Sequence, residues 1–387
     1  VAGETIELIL PTVFGLEAVV VRELRDLGYD DTHVDNGRVT VRADVPAVCR
    51  LNLRLRCAER VLLKVGEFDA ADFGELFDRT SALPWDRWLP VDARFPVRGK
   101  SVRSQLTHVP SCQSIIKKAI VENLNRAYGR SEFDETGPLV AVDFSLLNNR
   151  VTLSLDTSGT GLHKRGYRTW IGPAPLKETL AAGLVQLSFW NSDRPFLDPF
   201  CGTGTLPIEA ALIGRNIAPG LNREFAAEHW PAIGEQFWKQ GREEASDVVQ
   251  PPLKSPLAGS DVDERSLRAA RKHAAQAGVE GDIHFEQSPV ADVSSHRKFG
   301  CVVCNPPYGE RTGDLGDVEA VYDDMRRAFS RLHDWSFFVL TAHKSFENLF
   351  ARQADRKRKL YNGRIECTYY QFHGPRPPWR RGEGAAV

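Results

Sequence analysis

Phe196-Leu197-Asp198-Pro199-Phe200-Cys201-Gly202-Thr203-Gly204-Thr205 carries a short apolar strand into a glycine turn and on into a helix. Gly202 and Gly204 let the backbone approach a ligand closely, and the free amides that open a helix favour an anionic group. Many strand-to-helix turns need glycines for sterics alone, so the pair is a weak signal by itself. Asp198, placed ahead of the glycines, narrows it.

Outward from this turn the chain alternates. Helices are expected at 176–190, from Thr205 to Ile213, at 264–277 and at 317–333. Strands are expected at 195–198, 256–261, 283–286, 299–304 and 335–341, with a last pair near 357–372. Short apolar strands alternating with helices predict a doubly wound, mainly parallel α/β sheet. In such a sheet ligands bind beyond the carboxyl ends of the strands. Residues 215–256, with Pro219-Gly220 and Pro251-Pro252, read as an insertion between a helix and the next strand.

Two more strand ends carry chemistry. Gly259-Ser260-Asp261 places a carboxylate where it can take both hydroxyls of a ribose. The competing reading is that Asp261 caps the helix at 264, although Asp263 is the better-placed cap. Val302-Val303-Cys304-Asn305-Pro306-Pro307-Tyr308 is an apolar strand that stops at a proline pair, which forces a rigid extended loop. The Asn305 amide oxygen and the Pro306 carbonyl can both accept hydrogen bonds from one exocyclic amino group. Tyr308 offers a face on which a planar base can stack.

Before residue 160 the pattern is different. A strand at 5–11, a helix at 14–27 closing at Gly28, a hairpin over Asp35-Asn36-Gly37-Arg38, a helix at 45–58 and a strand from Arg60 to Val65 form one small α+β unit. Residues 71–155 repeat the theme: a helical stretch from Phe73 to Arg79, a strand from Ala93 to Val97, a basic helix at 111–128, and strands at 139–145 and 150–155. At 387 residues, division into domains is the default.

Composition is 42% hydrophobic and 26% charged with a net charge of −1, so no global field announces a nucleic-acid partner. The distribution says more than the sum. Arg98, Lys100, Arg103, Lys117, Lys118, Arg126 and Arg130 face the single acid Glu122, and Arg352, Arg356, Lys357, Arg358, Lys359 and Arg364 face only Asp355. Such runs are either solvated surface or phosphate contacts. No stretch approaches the roughly 20 apolar residues that cross a bilayer, and the opening Val1-Ala2-Gly3-Glu4 does not read as a signal peptide. The expected address is the cytosol. Seven scattered cysteines argue against a disulfide framework, and Cys301 and Cys304 read as buried strand thiols, not metal ligands. No metal is implied.

Glycine turn, acid and Asn-Pro-Pro-Tyr, in that order at successive strand ends, resemble the class I S-adenosylmethionine-dependent methyltransferases that act on exocyclic amino groups. The resemblance extends further. Leu155-Asp156-Thr157-Ser158-Gly159, Leu162-His163-Lys164-Arg165-Gly166-Tyr167-Arg168 and Ala174-Pro175-Leu176-Lys177-Glu178-Thr179-Leu180-Ala181-Ala182 are similar to the junction of bacterial THUMP-domain RNA methyltransferases. Within these, Leu197 to Ala211 and Cys304 to Arg311 resemble the 23S rRNA guanine-N2 methyltransferases, of the RlmL amino-terminal-half and YpsC-like type.

This resemblance implies a ferredoxin-like domain at 1–66, a THUMP RNA-binding domain at 67–160 and a Rossmann-like methyltransferase domain at 161–387. It implies S-adenosylmethionine as cofactor and 23S rRNA, or a large-subunit precursor, as partner. Asp198, Gly202 and Gly204 would line the methionine end, with Pro199, Cys201 and Thr203 of the same turn, and Asp261 would hold the ribose beside Val262. Lys177, Glu178 and Thr179 would border the pocket as support. Relatives place an aspartate for adenine after the third strand, but Pro289 stands there, leaving Ser288 or Asp292 to substitute. Asn305, Pro306, Pro307 and Tyr308 would present the base. Arg103, Lys117, Lys118, His163, Lys164 and Arg165 are the candidate RNA-holding surface. The competing activities are adenine-N6 or cytosine-N4 methylation of DNA or RNA, and non-catalytic RNA binding in ribosome assembly.

Overall fold

The computed structural model describes residues 5–168, 176–308 and 315–378. Ala174-Pro175 of the junction motif and Gly309 to Arg311 of the Asn-Pro-Pro-Tyr motif lie outside the described residues. Contacts divide the chain into two compact units. One holds 1–12, 21–162 and 220–247; the other holds 13–20, 163–219 and 248–387.

The first unit is built on strand β1 (Ile6–Pro11), helix α1 (Glu17–Asp26) from Val21 onward, its first turn being counted with the other unit, strands β2 (Thr32–Asp35) and β3 (Arg38–Ala43), helix α2 (Ala47–Arg54) and strand β4 (Leu62–Asp69). It continues with α3 (Phe73–Ser81), β5 (Val97–Val102), α4 (Val109–Tyr128), β6 (Val142–Leu147) and β7 (Arg150–Asp156). The seven strands form one sheet in the order β2-β3-β1-β4-β7-β6-β5. The two small α+β motifs therefore share a ladder: β4 pairs antiparallel with β7 from Leu62↔Asp156 to Asp69↔Arg150. Asn148 and Asn149, at φ 51° and 65°, make the β6–β7 turn, a left-handed pair that asparagine tolerates better than most residues.

The second unit opens with α5 (Glu178–Leu187), β8 (Phe196–Asp198) and α6 (Thr205–Gly214). The insertion then contributes α7 (Glu235–Asp247) to the first unit. There Arg50 donates to both Glu244 carboxylate oxygens at 2.8 and 3.0 Å, and Trp230 Nε1 donates to the Leu139 carbonyl at 3.0 Å. Back in the second unit come β9 (Leu257–Asp261), α8 (Glu264–Gln276), β10 (Ile283–Gln287), β11 (Cys301–Cys304), α9 (Leu315–Ser330), β12 (Ser336–Thr341), α10 (Phe346–Phe350), β13 (Arg356–Asn362) and β14 (Ile365–Phe372).

Its sheet runs β10-β9-β8-β11-β12-β14-β13. The pairs from β10 to β12 are parallel, whereas β14 runs antiparallel to both β12 and β13. Strand order reverses between β8 and β11, and both are buried along their length, as a sheet covered on two faces requires. Val302, Cys304, Met325, Phe329, Phe337, Phe346 and Phe372 belong to the core packed on one face. All seven cysteines are buried thiols, and burial pushes that of Cys301 up to about 12.

Candidate active site

The reversal of strand order opens a crevice where β8 and β11 end, and the chemistry-bearing loops converge there. Asp198, the last residue of β8, is 1% exposed and accepts the Phe200 N–H at 3.1 Å. Burial raises its carboxyl well above the usual range, and the charge of Asp261 adds to the shift. The next turn is fixed by Asp261, whose Oδ2 accepts the Gly202 N–H at 2.9 Å. Its Oδ1 accepts the Asp263 N–H at 3.0 Å. A carboxylate has lone pairs beyond these two, so Asp261 can shape the loop and still accept from a ligand hydroxyl. Asp263 is the cap of α8, accepting from the Arg265 N–H at 3.0 Å.

The two glycines do different work. At Gly202, φ 52°, an added Cβ meets nothing within 4 Å, so its backbone faces open space. At Gly204, φ 84°, a Cβ would come within 3.0 Å of Ala270 Cβ and 3.1 Å of the Phe285 ring. Gly204 is thus demanded by the packing of α8 and β10 and does not line the cleft.

That cleft, about 520 Å³, is bounded by Asp198 to Thr203, Thr205, Leu206, Asp261, Val262, Ser266, Pro289, Val290, Asn305, Pro307, Val321 and Asp324, with Leu176 at its edge. Of the expected cofactor residues it gathers Asp198, Pro199, Cys201, Gly202, Thr203, Asp261, Val262 and Asn305. Ser288 and Asp292 stay outside it. Ser288 gives its N–H to the Asp261 carbonyl at 3.1 Å, and Asp292 is exposed at the end of the single 3-10 turn Val290–Asp292. In their place Pro289 and Val290 face the cleft along with Val262, which is 66% exposed. The wall is apolar.

On the other side, Asn305 Oδ1 is buried and accepts no hydrogen bond among the described residues. A buried acceptor without a donor costs about 1–3 kcal/mol, which a bound amino group offsets. The loop behind it is held by a hydroxyl relay. The His343 N–H donates to Thr341 Oγ1 at 3.0 Å, the Thr341 and Tyr322 hydroxyls meet at 2.8 Å, and the Tyr322 hydroxyl donates to the Pro307 carbonyl at 3.0 Å. Burial raises the Tyr322 phenol, so it stays a donor. Pro306 is buried, and Tyr308 is half-buried with its Oη accepting from Asn362 Nδ2 at 3.1 Å.

Three more residues hold the glycine turn: His273, which no motif announced, and Arg168 and Glu178 of the junction motif. His273 is buried and its pKa is lowered, chiefly by burial. Its Nδ1, 3.1 Å from the Thr203 carbonyl, must therefore carry the proton. Arg168 donates to Thr205 Oγ1 at 2.6 Å and to the Leu176 carbonyl at 2.9 Å, and pairs with Glu178 at 3.3 Å. Lys177, Glu178 and Thr179 are not among the residues that line the cleft.

The expected RNA surface is partly corrected. Arg165 has a side chain only 3% exposed, 3.4 Å from Glu209, whose same oxygen accepts from the Tyr167 hydroxyl at 3.0 Å. A guanidinium so buried and paired is an internal strut, not a phosphate ligand. Lys164 is exposed and His163 half-buried, both in the second unit. In the first unit Arg103 and Lys118 are exposed, and Lys117 pairs with Glu135 at 2.7 Å. From the second basic run, Lys357 pairs with Glu347, Lys359 with Glu366 at 2.6 Å, and Arg358 donates to the Gly15 carbonyl at 2.7 Å. Among the described residues no helix is long and apolar enough to cross a membrane.

Residues 165–371, more than half of the chain, match the family model UPF0020, described as RMKL-like, methyltransferase domain. The chain belongs to the RMKL-like methyltransferases. Ahead of that match, residues 7–62 fit an RlmL ferredoxin-like domain and 70–156 a THUMP domain. This RMKL-like chain is 48% identical to "Putative RNA methyltransferase YpsC" of Bacillus subtilis, over 97% of each chain. It is 34% identical to the ribosomal RNA large subunit methyltransferase K/L of Methylococcus capsulatus, covering 92% of this chain but half of that longer protein. The solved structure described as "Crystal structure of SMU.472, a putative methyltransferase complexed with SAH" superimposes with a TM-score of 0.92 at 43% identity, covering 97% of this chain and 99% of that one.

Proposed function

We propose that this RMKL-like enzyme methylates the exocyclic N2 amino group of a guanine in 23S rRNA, using S-adenosylmethionine. The observation that carries the reading is the buried, undonated Oδ1 of Asn305, a residue that lines the same cleft as Asp198, Gly202 and Asp261.

The cleft suits the cofactor on its own terms. The buried Asp198 carboxyl is a site that a cationic group stabilises, and S-adenosylmethionine carries positive charge on its ammonium and sulfonium. Amides at the start of α6 favour a carboxylate, Asp261 accepts from ribose hydroxyls, and Val262, Pro289 and Val290 give a flat ring an apolar wall. When bound, the cofactor supplies an electrophilic methyl group.

The protein's share is positioning. A guanine amino nitrogen is a poor nucleophile while its lone pair is delocalised into the ring. Hydrogen bonds from its two protons to Asn305 Oδ1 and the Pro306 carbonyl favour a more tetrahedral nitrogen, and stacking on Tyr308 fixes its orientation. No side chain needs to form a covalent bond. A base held in a helix must first be extruded to enter.

RNA as the carrier is supported by the THUMP match and by the names of the two curated relatives. Asn-Pro-Pro-Tyr alone serves adenine N6 and cytosine N4 as well. The test is tritiated methyl transfer to 23S rRNA from cells lacking the enzyme, with DNA in parallel, followed by nucleoside analysis. Label in N2-methylguanosine is expected; label in methyladenine or methylcytosine, or in DNA only, overturns the proposal.

A further inference from the structure

Strand β14 outruns its partner. Pairing with β12 ends at Thr341↔Thr368, yet β14 begins at Ile365, and β13 pairs with it as far as Asn362↔Ile365. At about 3.3 Å per residue the hairpin tip stands roughly 10 Å past the end of β12. This is the same edge of the sheet from which the Asn-Pro-Pro-Tyr loop departs, since β11 and β12 are parallel, with Cys304 level with Val339.

The tip is built to stay where it is. Gly363, φ 65°, turns the chain. Arg358 donates to the Gly15 carbonyl at 2.7 Å, and any side chain at Gly15 would collide with the Lys359 carbonyl, 2.6 Å from its Cβ. The Phe14 and Tyr361 rings meet edge-on at 6.3 Å. From this braced tip, Asn362 Nδ2 donates to Tyr308 Oη at 3.1 Å. A tyrosine hydroxyl lies on the axis about which its ring spins, so a tether there fixes where the far end of the ring sits and the line of that axis, and biases the ring plane only through the direction of the phenol oxygen's lone pairs.

We propose that Asn362 is a positioning residue for methyl transfer: by holding Tyr308 Oη it sets where the ring on which the target base stacks is placed, which makes the β13–β14 tip part of the base site. The proposal rests on the amino-methylation reading above. Asn362 is not among the residues that line the cofactor cleft. Its effect is on geometry alone, so it changes turnover without changing affinity for the cofactor.

The experiment uses the full chain and compares wild type, Asn362→Ala, Asn362→Asp, Tyr308→Phe and the Asn362→Ala/Tyr308→Phe double variant in single-turnover transfer to undermethylated 23S rRNA. Asn362→Ala and Tyr308→Phe are each expected to slow transfer about tenfold, the worth of one orienting hydrogen bond. The double variant should be no slower than either single one, and Asn362→Asp, which can accept from the phenol, should recover most of the rate. S-adenosylhomocysteine affinity, read by calorimetry, should stay constant throughout, which also reports an intact fold. Wild-type rate in Asn362→Ala, or losses that multiply in the double variant, overturns the proposal. Asn305→Ala separates the two claims: if it retains activity the amino-methylation reading itself fails. One readout needs no RNA. In protein labelled with carbon-13 at tyrosine Cζ, the Tyr308 resonance, identified by its loss in Tyr308→Phe, should shift in Asn362→Ala, and an unmoved resonance refutes the tether.

Discussion

The Tyr322 hydroxyl stands between the Pro307 carbonyl, at 3.0 Å, and Thr341 Oγ1, at 2.8 Å, and so joins helix α9 and strand β12 to the Asn305–Tyr308 loop. Tyr322→Phe removes the middle of that relay without changing the packing of the ring. A half-buried carbonyl and the buried Thr341 hydroxyl each lose a partner, at a cost of about 1–2 kcal/mol in urea unfolding. Methyl transfer should fall severalfold while S-adenosylhomocysteine affinity is unchanged. Equal loss of both would place Tyr322 in the cofactor site instead.

Asp261 shapes the glycine turn as well as facing the cleft, so its removal acts twice. Asp261→Ala should weaken S-adenosylhomocysteine binding by more than about tenfold, having lost both the Gly202 N–H bond and a ligand acceptor. Asp261→Asn, which keeps one carbonyl oxygen, should lose less. Calorimetry on the two variants checks the order.

Asp198 gives the site a pH dependence whose sign is fixed by burial. Its carboxyl is raised above the ordinary carboxylate range, so in the free protein it stays protonated over a window in which an exposed aspartate has ionised. A cationic ligand beside it favours the carboxylate, so binding releases a proton in that window and tightens as pH rises through it. Asp198→Asn should abolish the proton release, measured from binding heats in buffers of different ionisation enthalpy. The same shift opposes folding as pH rises, because the unfolded chain gives up this proton first. Between the ordinary carboxylate range and the raised value, Asp198→Asn should therefore gain stability on wild type.

Arg165 and Lys118 are both basic residues in candidate RNA-binding stretches, and the structure separates them. Arg165→Ala strands Glu209 in the interior and should cost about 3 kcal/mol or more of stability. Lys118→Ala should leave stability within about 0.5 kcal/mol and reduce the slope of log RNA affinity against log salt by about 1. An unchanged slope would return that helix face to ordinary solvated surface.

The parallel sheet was legible because β8, β9 and β11 are short runs, largely apolar, ended by an acid or a proline pair, and β12 is an unbroken apolar run between them and the last hairpin. Less legible was β5, expected at 93–97 but found at Val97–Val102, where Arg98, Lys100 and Val102 face solvent along an edge strand and Gly99 sits against Phe144. Helix α7 gave no signal: Trp238, Gly241 and Ala245 are its buried residues, too sparse a stripe to read among charges. The site divides the same way. Asn305, Asp198 and Asp261 stand at strand ends in sequence order, whereas Tyr322, His273, Arg168 and Asn362 act through contacts that only folding creates. Arg165 was misread because a basic cluster does not show which of its members points inward.

Residues 220–247 complete the first unit although they are synthesised after β8 and α6 of the second. The Leu53 carbonyl waits for the Gly220 N–H at 2.9 Å and the Thr157 carbonyl for that of Ala227 at 3.0 Å. A chain emerging from the ribosome therefore cannot finish its N-terminal unit until residue 247 has appeared. Severing the chain near residue 162 leaves that unit without its last helix. Expression of the THUMP-containing unit calls for a graft of 220–247 onto 1–162, not a truncation.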